Sequence, residues 1–421
     1  MKKIIAALIV VALVLSSVFV LVACDKNKDK SEVEKAIEAA EKMTLAELEE
    51  ASKAEIEANP KAVFYADSLT SGVEKALKKF AAKYDWLNYG DEEGQNAKYR
   101  SRKGSEFQTI LNGAAETNEY VGDFVMIQDQ SFVNSLYEYG FLLSYLPSGD
   151  GFSIAKENQR PLVGVTFNKM WYYNSVLGED YFKNVWQLTG ANGTTLKAIP
   201  NSFQSPLKED INMNFLIMLT APKYKAWLES SYQSYFGKAY TKTDSCASIG
   251  YHYVEQYIAA VSNWHDSDTA EARNINDDSH RAGGVYFAGL AKTKDFAGYK
   301  EDPSSDTFYT KVMRGSGWNY QVEGFNGFVY DMWTLIPKTA KLPYTACLFI
   351  RYLLSEEGFA AGFEGVPGYY CSNTLIAPTD GTTLEGWKST CLAEDPDYLD
   401  ANYTSVRAFI INALTKAGLS A

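Results

Sequence analysis

Short apolar segments, each followed by a polar loop and an amphipathic helix, recur along this chain of 421 residues. The first segment is Ala62–Ala66, which leads through the polar residues 67–72 into a helical face that begins at Val73. A second segment, Phe124–Ile127, leads through residues 128–131 into another predicted helix. Strands that alternate with helices predict an α/β fold with mainly parallel sheets, in which ligands bind beyond the carboxyl ends of the strands.

Other segments fit the same alternation. Ser31 and Thr44 each precede a Glu three residues later, which is the capping-box pattern at the start of a helix. Residues 263–268 combine a His with two Asp, a set that could coordinate a metal, but we favour a solvated loop. The remaining predicted elements are helices over 32–43, 45–58 and 343–354, and strands over 162–167 and 328–337.

The composition excludes several classes of protein. Forty Lys and Arg residues against 52 Asp and Glu give a formal charge of −12, which disfavours nucleic acid as a partner because phosphate contacts need clustered basic side chains. A hydrophobic content of 46% is sufficient for globular cores. The 29 Tyr, 22 Phe and 8 Trp form an aromatic surplus that we expect in the cores and at a ligand site.

The N-terminal residues have the pattern of a targeting segment. Lys2 and Lys3 precede an uncharged run from Ile4 to Ala23, and charged residues follow Cys24. An uncleaved membrane anchor and a cleaved export signal both fit this pattern. We favour a lipoprotein signal at 1–23 because Leu21–Cys24 resembles the bacterial lipobox, in which the Cys is lipidated. Either alternative predicts that the rest of the chain lies outside the cytoplasmic membrane, tethered to it.

The other cysteines do not predict a metal site. No CxxC pair or metal-ligand spacing is present, so we expect neither a bound metal nor a cofactor. Export permits disulfides, and Cys371 and Cys391 flank a turn-rich segment in which they could pair. Cys347 lies in an apolar helical run and is expected to be a buried thiol.

Several short sequences follow one another in an order that is shared with a known family. They are Val63–Ser68, Gly122–Val125, Gly140–Pro147, Tyr173–Asn174, Leu335–Lys338 and Leu353–Gly358. In this order they resemble the type 2 solute-binding proteins of bacterial ABC importers, in particular the branch for ferric iron, polyamines and thiamine. The resemblance implies a type 2 periplasmic-binding-protein fold: two α/β lobes joined by crossover strands, with the solute in the cleft between them.

The resemblance also implies an organisation and partners. We expect a monomeric receptor, without catalytic residues, that passes a small polar solute to an ABC permease. Ferric-binding members place a His after the first strand and a Tyr pair late in the second lobe, whereas this chain has Asp67 and Ser68 at the first position. Iron is therefore not predicted. The expected segments are a signal peptide at 1–23, a lipid-anchored spacer with leading helices at 24–60, a first lobe at 61–164 and 321–370, and a second lobe at 165–320 and 371–421.

Candidate ligand residues follow the predicted strands. Thr70 and Ser71 could hold an anion at the start of a helix or could simply cap it. Asp67 argues instead for a cation or a hydroxyl, and Asp129 could pair with an amine or cap the next helix. The aromatic candidates offer flat faces and hydroxyls but could equally pack in a core. The full set is Asp67, Ser68, Thr70, Ser71, Gln128, Asp129, Tyr172, Tyr173, Ser202, Tyr286 and Trp333.

Catalysis is the alternative hypothesis. The chain has no HExxH or GxSxG motif and no phosphate-binding glycine loop. A secreted lipoprotein glycoside hydrolase would need two carboxylates about 5–10 Å apart in one cleft, and 52 acidic residues leave that arrangement open. We favour the receptor over the hydrolase.

Overall fold

The computed structural model describes residues 30–174, 177–178, 180–190, 197–242, 246–268, 284–289, 313–315, 321–363, 368–378 and 381–419. The predicted signal peptide and Cys24 lie outside the described residues. The helices are α1 (Glu32–Ala40), α2 (Leu45–Ala58), α3 (Ser71–Lys83), α4 (Gly104–Thr117), α5 (Gln130–Glu138), α6 (Asp210–Met218), α7 (Lys225–Phe236), α8 (Ile249–Ala260), α9 (Pro343–Leu353), α10 (Glu356–Phe363), α11 (Leu384–Lys388) and α12 (Pro396–Lys416). The strands are β1 (Phe64–Ser68), β2 (Ala97–Ser101), β3 (Phe124–Ile127), β4 (Leu142–Leu143), β5 (Val163–Asn174), β6 (Asn201–Gln204), β7 (Asn263–His265), β8 (Val285–Gly289), β9 (Met313–Gly315), β10 (Gly327–Pro337), β11 (Tyr370–Cys371) and β12 (Leu392–Ala393).

Two long strands hold the sheet together. The strand order is β2-β1-β3-β10-β5-β8-β6-β7, and β10 pairs antiparallel with β5 from Gly327 to Trp333. Among the described strands, every antiparallel pair involves β5 or β10, whereas β1–β3 and β6–β8 pair in parallel. The predicted α/β fold is confirmed, with parallel strands on each side of an antiparallel crossover pair.

The crossover pair divides the molecule into two lobes. The first lobe contains β1–β4, α1–α5, α9 and α10, with α9 packed on α2 and α10 on α3. The second lobe contains β6–β9, β12, α6–α8, α11 and α12, with α12 packed on α6 and α8. β3 pairs with the end of β10 and β12 pairs with its beginning, so each lobe continues the sheet from its own half of the same strand.

Aromatic side chains fill the cores of both lobes. In the first lobe, the ring of Phe349 lies 5.2 Å from Phe80 and 5.8 Å from Phe64, measured between centroids. In the second, the ring of Phe287 lies 4.5 Å from both Trp171 and Phe215. Much of the aromatic surplus therefore packs in the cores, where each such ring buries a large apolar area.

The sequence predictions and the structure agree best at the apolar elements. β3 matches its predicted bounds, and α2, α9 and β10 match theirs within one residue. The strand predicted over 162–167 is longer than expected, because β5 continues without interruption to Asn174. Cys347 is a buried thiol as predicted, and Cys371 and Cys391 carry free thiols among the described residues. The loop predicted over 263–268 is wrong, because its first three residues form β7.

One buried carboxylate connects β1, β3 and α9. Asp123 precedes β3 and is fully buried. Its Oδ2 accepts hydrogen bonds from the N–H of Tyr65 (3.0 Å) and the hydroxyl of Tyr120 (2.6 Å). Its Oδ1 accepts from the N–H groups of Lys341 (2.7 Å) and Leu342 (3.0 Å), just before α9. Asp123 therefore ties the start of a helix to the sheet.

We predict that Asp123→Ala lowers the free energy of unfolding by about 3 kcal/mol, because it leaves four donors without their acceptor in a buried site. Urea denaturation of the purified protein measures the change. Asp85→Ala is the matched control, since Asp85 is exposed and makes no hydrogen bond or ion pair with a described residue. Equal unfolding curves for the two variants would contradict the role given to Asp123.

Candidate functional site

A cavity of about 750 Å³ lies between the two lobes. Its wall is built where strands of both lobes end, as expected for an α/β sheet. Thr70, Ser71, Arg102, Lys103 and Gln128 line it from the first lobe, after β1, β2 and β3. The second lobe contributes residues that follow β6 and β7, and the crossover strands supply the floor. These further lining residues include Gln204, Lys208, Glu209, Asp266, Asp268, Phe167, Lys169, Tyr330 and Met332.

The first-lobe wall carries a fixed guanidinium group. Arg102 lines the cavity, and its Nε donates to Oδ1 of Asp67 at 2.5 Å. Asp67 is completely buried, and its Oδ2 pairs with Nη2 of Arg100 at 2.6 Å. Burial raises the pKa of Asp67, while the two Arg side chains oppose that rise. The terminal NH2 groups of Arg102 make no hydrogen bond to a described residue, so they remain available to the cavity.

The second-lobe wall holds a buried ion pair. Lys169 on β5 is 4% exposed, and its Nζ donates to Oδ1 of Asn212 at 2.8 Å and lies 3.5 Å from Oδ2 of Asp268. The hydroxyl of Tyr286 donates to the main-chain carbonyl of Asp268, which fixes that residue beside the cavity. The other carboxylate oxygen of Asp268, Oδ1, is buried and accepts no hydrogen bond from a described residue.

Aromatic rings form the floor between these walls. Phe167 of β5 stacks on Tyr369 with ring centroids 4.0 Å apart and an interplanar angle of 13°. Tyr330 of β10 meets Phe167 edge to face at 5.7 Å. All three line the cavity. A ligand therefore meets charged groups at the two walls and a flat apolar surface between them.

Hydrogen bonds cross from one lobe to the other beside the cavity. Nε2 of Gln128 in the first lobe donates to Oε1 of Glu209 in the second at 2.8 Å. Nε2 of Gln108 on α4 donates to Oδ2 of Asp210, at the start of α6, at 3.1 Å. The lobes are thus in contact in this conformation, and the contacts are amide to carboxyl.

Behind these bridges lies a group of acidic side chains that we call the hinge carboxylates, namely Asp129, Asp210, Asp331 and Glu394. Asn214 of α6 donates to both Asp129 (3.4 Å) and Glu394 (2.9 Å), and the N–H of Asp331 donates to Glu394 (3.5 Å). Asp129 has φ +78°, a value that non-glycine residues seldom adopt. Acidic side chains at or next to β3 of the first lobe, β12 of the second lobe and the crossover strand β10 thereby lie in one hydrogen-bonded cluster.

Burial governs the protonation of this group. It raises the pKa of each of the hinge carboxylates, and the pKa of Asp210 reaches about 7. The negative charges of Asp129 and Glu209 contribute to the rise at Asp210, and Arg407 of α12 opposes it. Lys388 of α11 acts likewise on Asp331, and Tyr403 of α12 faces both Asp129 and Asp210.

Of the eleven residues predicted to contact ligand, three line this cavity: Thr70, Ser71 and Gln128. Thr70 also caps α3, where its hydroxyl accepts from the N–H of Gly72 at 3.3 Å. The other eight lie behind the wall or in the cores. Asp67 pairs with the two arginines, and Asp129 belongs to the hinge carboxylates. Buried at 3% exposure or less are Ser68, Tyr172, Tyr173, Ser202, Tyr286 and Trp333.

The alternation of β5 explains the position of its tyrosines. Trp171 and Tyr173 face the main core, whereas Tyr172 faces the opposite side of the sheet. There it lies next to Tyr286, its register partner on β8, in a small cluster that includes Trp387. The strand is buried on both faces in this stretch, so neither tyrosine reaches the cavity.

Sequence reasoning missed Arg102, Lys169 and Asp268. Arg102 follows β2, whose sequence AKYRS lacks the apolar run by which β1 and β3 were recognised. Lys169 offered a usable signal, because a lone Lys inside a long apolar strand is rarely buried without a partner. Asp268 belongs to the segment predicted as a solvated loop.

Comparison with solved structures identifies the fold. Iron-bound HitA from Pseudomonas aeruginosa superposes with a TM-score of 0.54 at 11% identity, covering 85% of this chain and 100% of that one. The PBP MotA from A. tumefaciens B6, in complex with glucopine, gives a TM-score of 0.56 at 12% identity over 84% and 99% of the two chains. The spermidine/putrescine substrate-binding protein PotD from Streptococcus pneumoniae gives 0.54 at 11% identity over 85% and 99%.

These likenesses confirm the predicted two-lobe periplasmic-binding-protein fold. No protein-family model matches the sequence, and no curated protein matches it. Within the described residues, no group of three or more His, Cys, Asp or Glu side chains is arranged to hold a metal ion.

We predict that the hinge carboxylates make the protein less stable as pH rises toward 7. Asp210 holds its proton in the folded state up to about pH 7, whereas an unfolded Asp releases it near pH 4. Stability therefore falls as pH rises between these values, by up to about 1.4 kcal/mol per pH unit. Asp210→Asn should flatten this fall in urea denaturation at pH 4, 5, 6 and 7.

The control for this experiment is Asp397→Asn, since Asp397 is an exposed acid in the first turn of α12. It should keep the pH dependence of the unmodified protein. If Asp210→Asn and Asp397→Asn give parallel profiles, the raised pKa of Asp210 is contradicted.

Proposed function

We propose that this chain is an extracytoplasmic solute-binding receptor, which captures a small polar solute between its lobes and delivers it to an ABC permease. The main support for this proposal is the cavity between the lobes, whose walls are formed by loops that follow strands of both lobes. Its volume of about 750 Å³ lies within the range of small-molecule sites. Proteins of the same fold include ones described as iron-bound, in complex with glucopine, or as a spermidine/putrescine substrate-binding protein.

The mechanism follows from the division of the wall. Each lobe supplies part of the contacts, so only the closed arrangement makes all of them, and the solute stabilises that arrangement. Thr70, Ser71 and Gln128 contact the solute from the first lobe in this proposal. Gln128 also donates a hydrogen bond to Glu209 of the second lobe, and this bond forms only when the lobes are close together. The remaining predicted residues support the wall from behind.

Binding without catalysis is part of the proposal. Two of the proteins compared above, MotA and PotD, carry the names of binding proteins, which favours a receptor over the glycoside hydrolase considered from the sequence. The cleft carboxyl groups have other partners here: Glu209 bonds to Gln128, and Asp268 lies beside Lys169. No observation singles out a pair of them for acid–base work on a glycosidic bond.

The location is proposed from the N-terminal sequence. None of the helices in the described part of the chain combines the length and apolarity that a membrane span requires. We place the lobes outside the cytoplasmic membrane, held there as a monomer by a lipid on Cys24. The residues between Cys24 and α1 serve as the spacer.

The first prediction is that a small solute raises the melting temperature and compacts the protein. Polyamines, sugars, amino acids, ferric chelates and phosphonates form the panel for thermal-shift measurement and X-ray scattering. A true ligand at about 100 times its Kd adds about 2.7 kcal/mol of stability. Gln128→Ala should diminish that gain, whereas Gln233→Ala, a matched change on the exposed surface of α7, should leave it intact. A panel without any shift or compaction would remove the support for a receptor.

The second prediction concerns the anchor. Cys24→Ser should move the protein from the membrane fraction to the soluble fraction of expressing cells and abolish incorporation of a fatty-acid probe. Cys246→Ser, which changes a cysteine far from the N-terminus, should leave both unchanged. Continued membrane retention and labelling of the Cys24 variant would contradict lipidation at that residue.

A further inference from the structure

Building on the proposed receptor function, we infer that the solute is a zwitterion, a small organic acid that also carries a protonated amine. The inference rests on the chemistry of the two opposed walls of the cavity. Each wall presents one polar group that its own neighbours hold in place but do not saturate.

Asp268 is that group in the second lobe. Its side chain is 12% exposed, and its backbone is fixed by Tyr286. Oδ2 has Lys169 at 3.5 Å, which is long for a charge-assisted hydrogen bond. Oδ1 is buried without a donor from any described residue. A buried carboxylate oxygen without a donor is costly. Because the Asp268 side chain lines the cavity, an ammonium group that enters there meets a carboxylate whose hydrogen-bonding capacity the fold leaves partly unused.

Arg102 is the corresponding group in the first lobe. Its Nε is committed to Asp67, which holds the guanidinium plane, and its terminal NH2 groups bond to no described residue. This is the fork that recognises carboxylate, sulfonate or phosphonate in two parallel hydrogen bonds. Lys103 adds a second positive charge to the same wall, since it is exposed and forms no ion pair with a described residue.

The charges of the two walls have opposite signs. The first-lobe wall carries Arg102 and Lys103 against Glu106, whereas the second carries Glu209, Asp266 and Asp268 against Lys169 and Lys208. A dianion would bring one negative charge to the acidic wall, and a diamine would bring one positive charge to the basic wall. The zwitterion satisfies both walls, and the aromatic floor receives the apolar part that joins its two charges.

A matched series of compounds tests the inference on the intact mature protein by isothermal titration calorimetry. It contains aromatic and aliphatic amino acids with their phosphonate and sulfonate analogues. For each member, one partner lacks the amine and another has the acid replaced by an amide. We expect the intact zwitterions to bind and each truncated partner to lose about tenfold or more in affinity. Binding confined to polyamines, dicarboxylates or neutral sugars would overturn the zwitterion while leaving the receptor proposal in place.

Two variants assign the ends of the solute. In Asp268→Asn, the preference for the amine over its deaminated partner should fall below about threefold. In Arg102→Gln, the preference for the acid over its amide should fall similarly. Asp397→Asn is the matched control, because Asp397 is exposed in the first turn of α12 and does not line the cavity, and it should keep both preferences. If Asp268→Asn retains the full preference for the amine, the assignment of Asp268 is wrong. Melting of the variants without solute shows that each is folded.

Discussion

The antiparallel pairing of β5 with β10 is the interaction on which the rest of the structure depends. Each strand gives one half to each lobe, so the sheet is continuous although its parallel parts lie on opposite sides. The register of the pair shifts between Met332 and Trp333. Met332 lines the cavity, whereas Trp333 is buried in a first-lobe core cluster. The irregularity therefore separates the part of β10 that lines the cavity from the part that packs in the core of the first lobe.

The sequence was sufficient for the strands that are buried on both faces. β3 and most of β10 are apolar runs, and β1 begins within one, and a run of that kind is recognisable without tertiary information. β2 and β7 are edge strands of the sheet, with the sequences AKYRS and NWH. Their pairing comes from backbone hydrogen bonds to a neighbour that is distant in sequence, so nothing local distinguishes them from loops.

The difference between recognisable strands and edge strands also explains which cavity-lining residues could be predicted from the sequence. Thr70, Ser71 and Gln128 follow strands that the sequence revealed, and they line the cavity. Arg102 and Asp268 follow strands that it concealed, and they are the groups with unused hydrogen-bonding capacity. Tyr172 and Tyr173 were expected at the cleft, but β5 is buried on both faces there. The sequence of such a strand does not show whether a side chain faces a core or a cavity. Residue type alone cannot decide between core and ligand contact there.

The pairing of Asp67 with Arg102 has a consequence for how such a cleft can change over evolutionary time. Arg102 lines the cavity, but the carboxylate that holds it is fully buried in the first lobe. Exchanging Arg102 for a neutral side chain leaves Asp67 with Arg100 as its remaining ion-pair partner, which lowers the stability of the first lobe. A change of side chain at position 102 therefore alters the stability of the lobe as well as the chemistry of the cavity wall. Substitutions at Arg102 during evolution are thus constrained by the stability of the first lobe as well as by the proposed choice of solute.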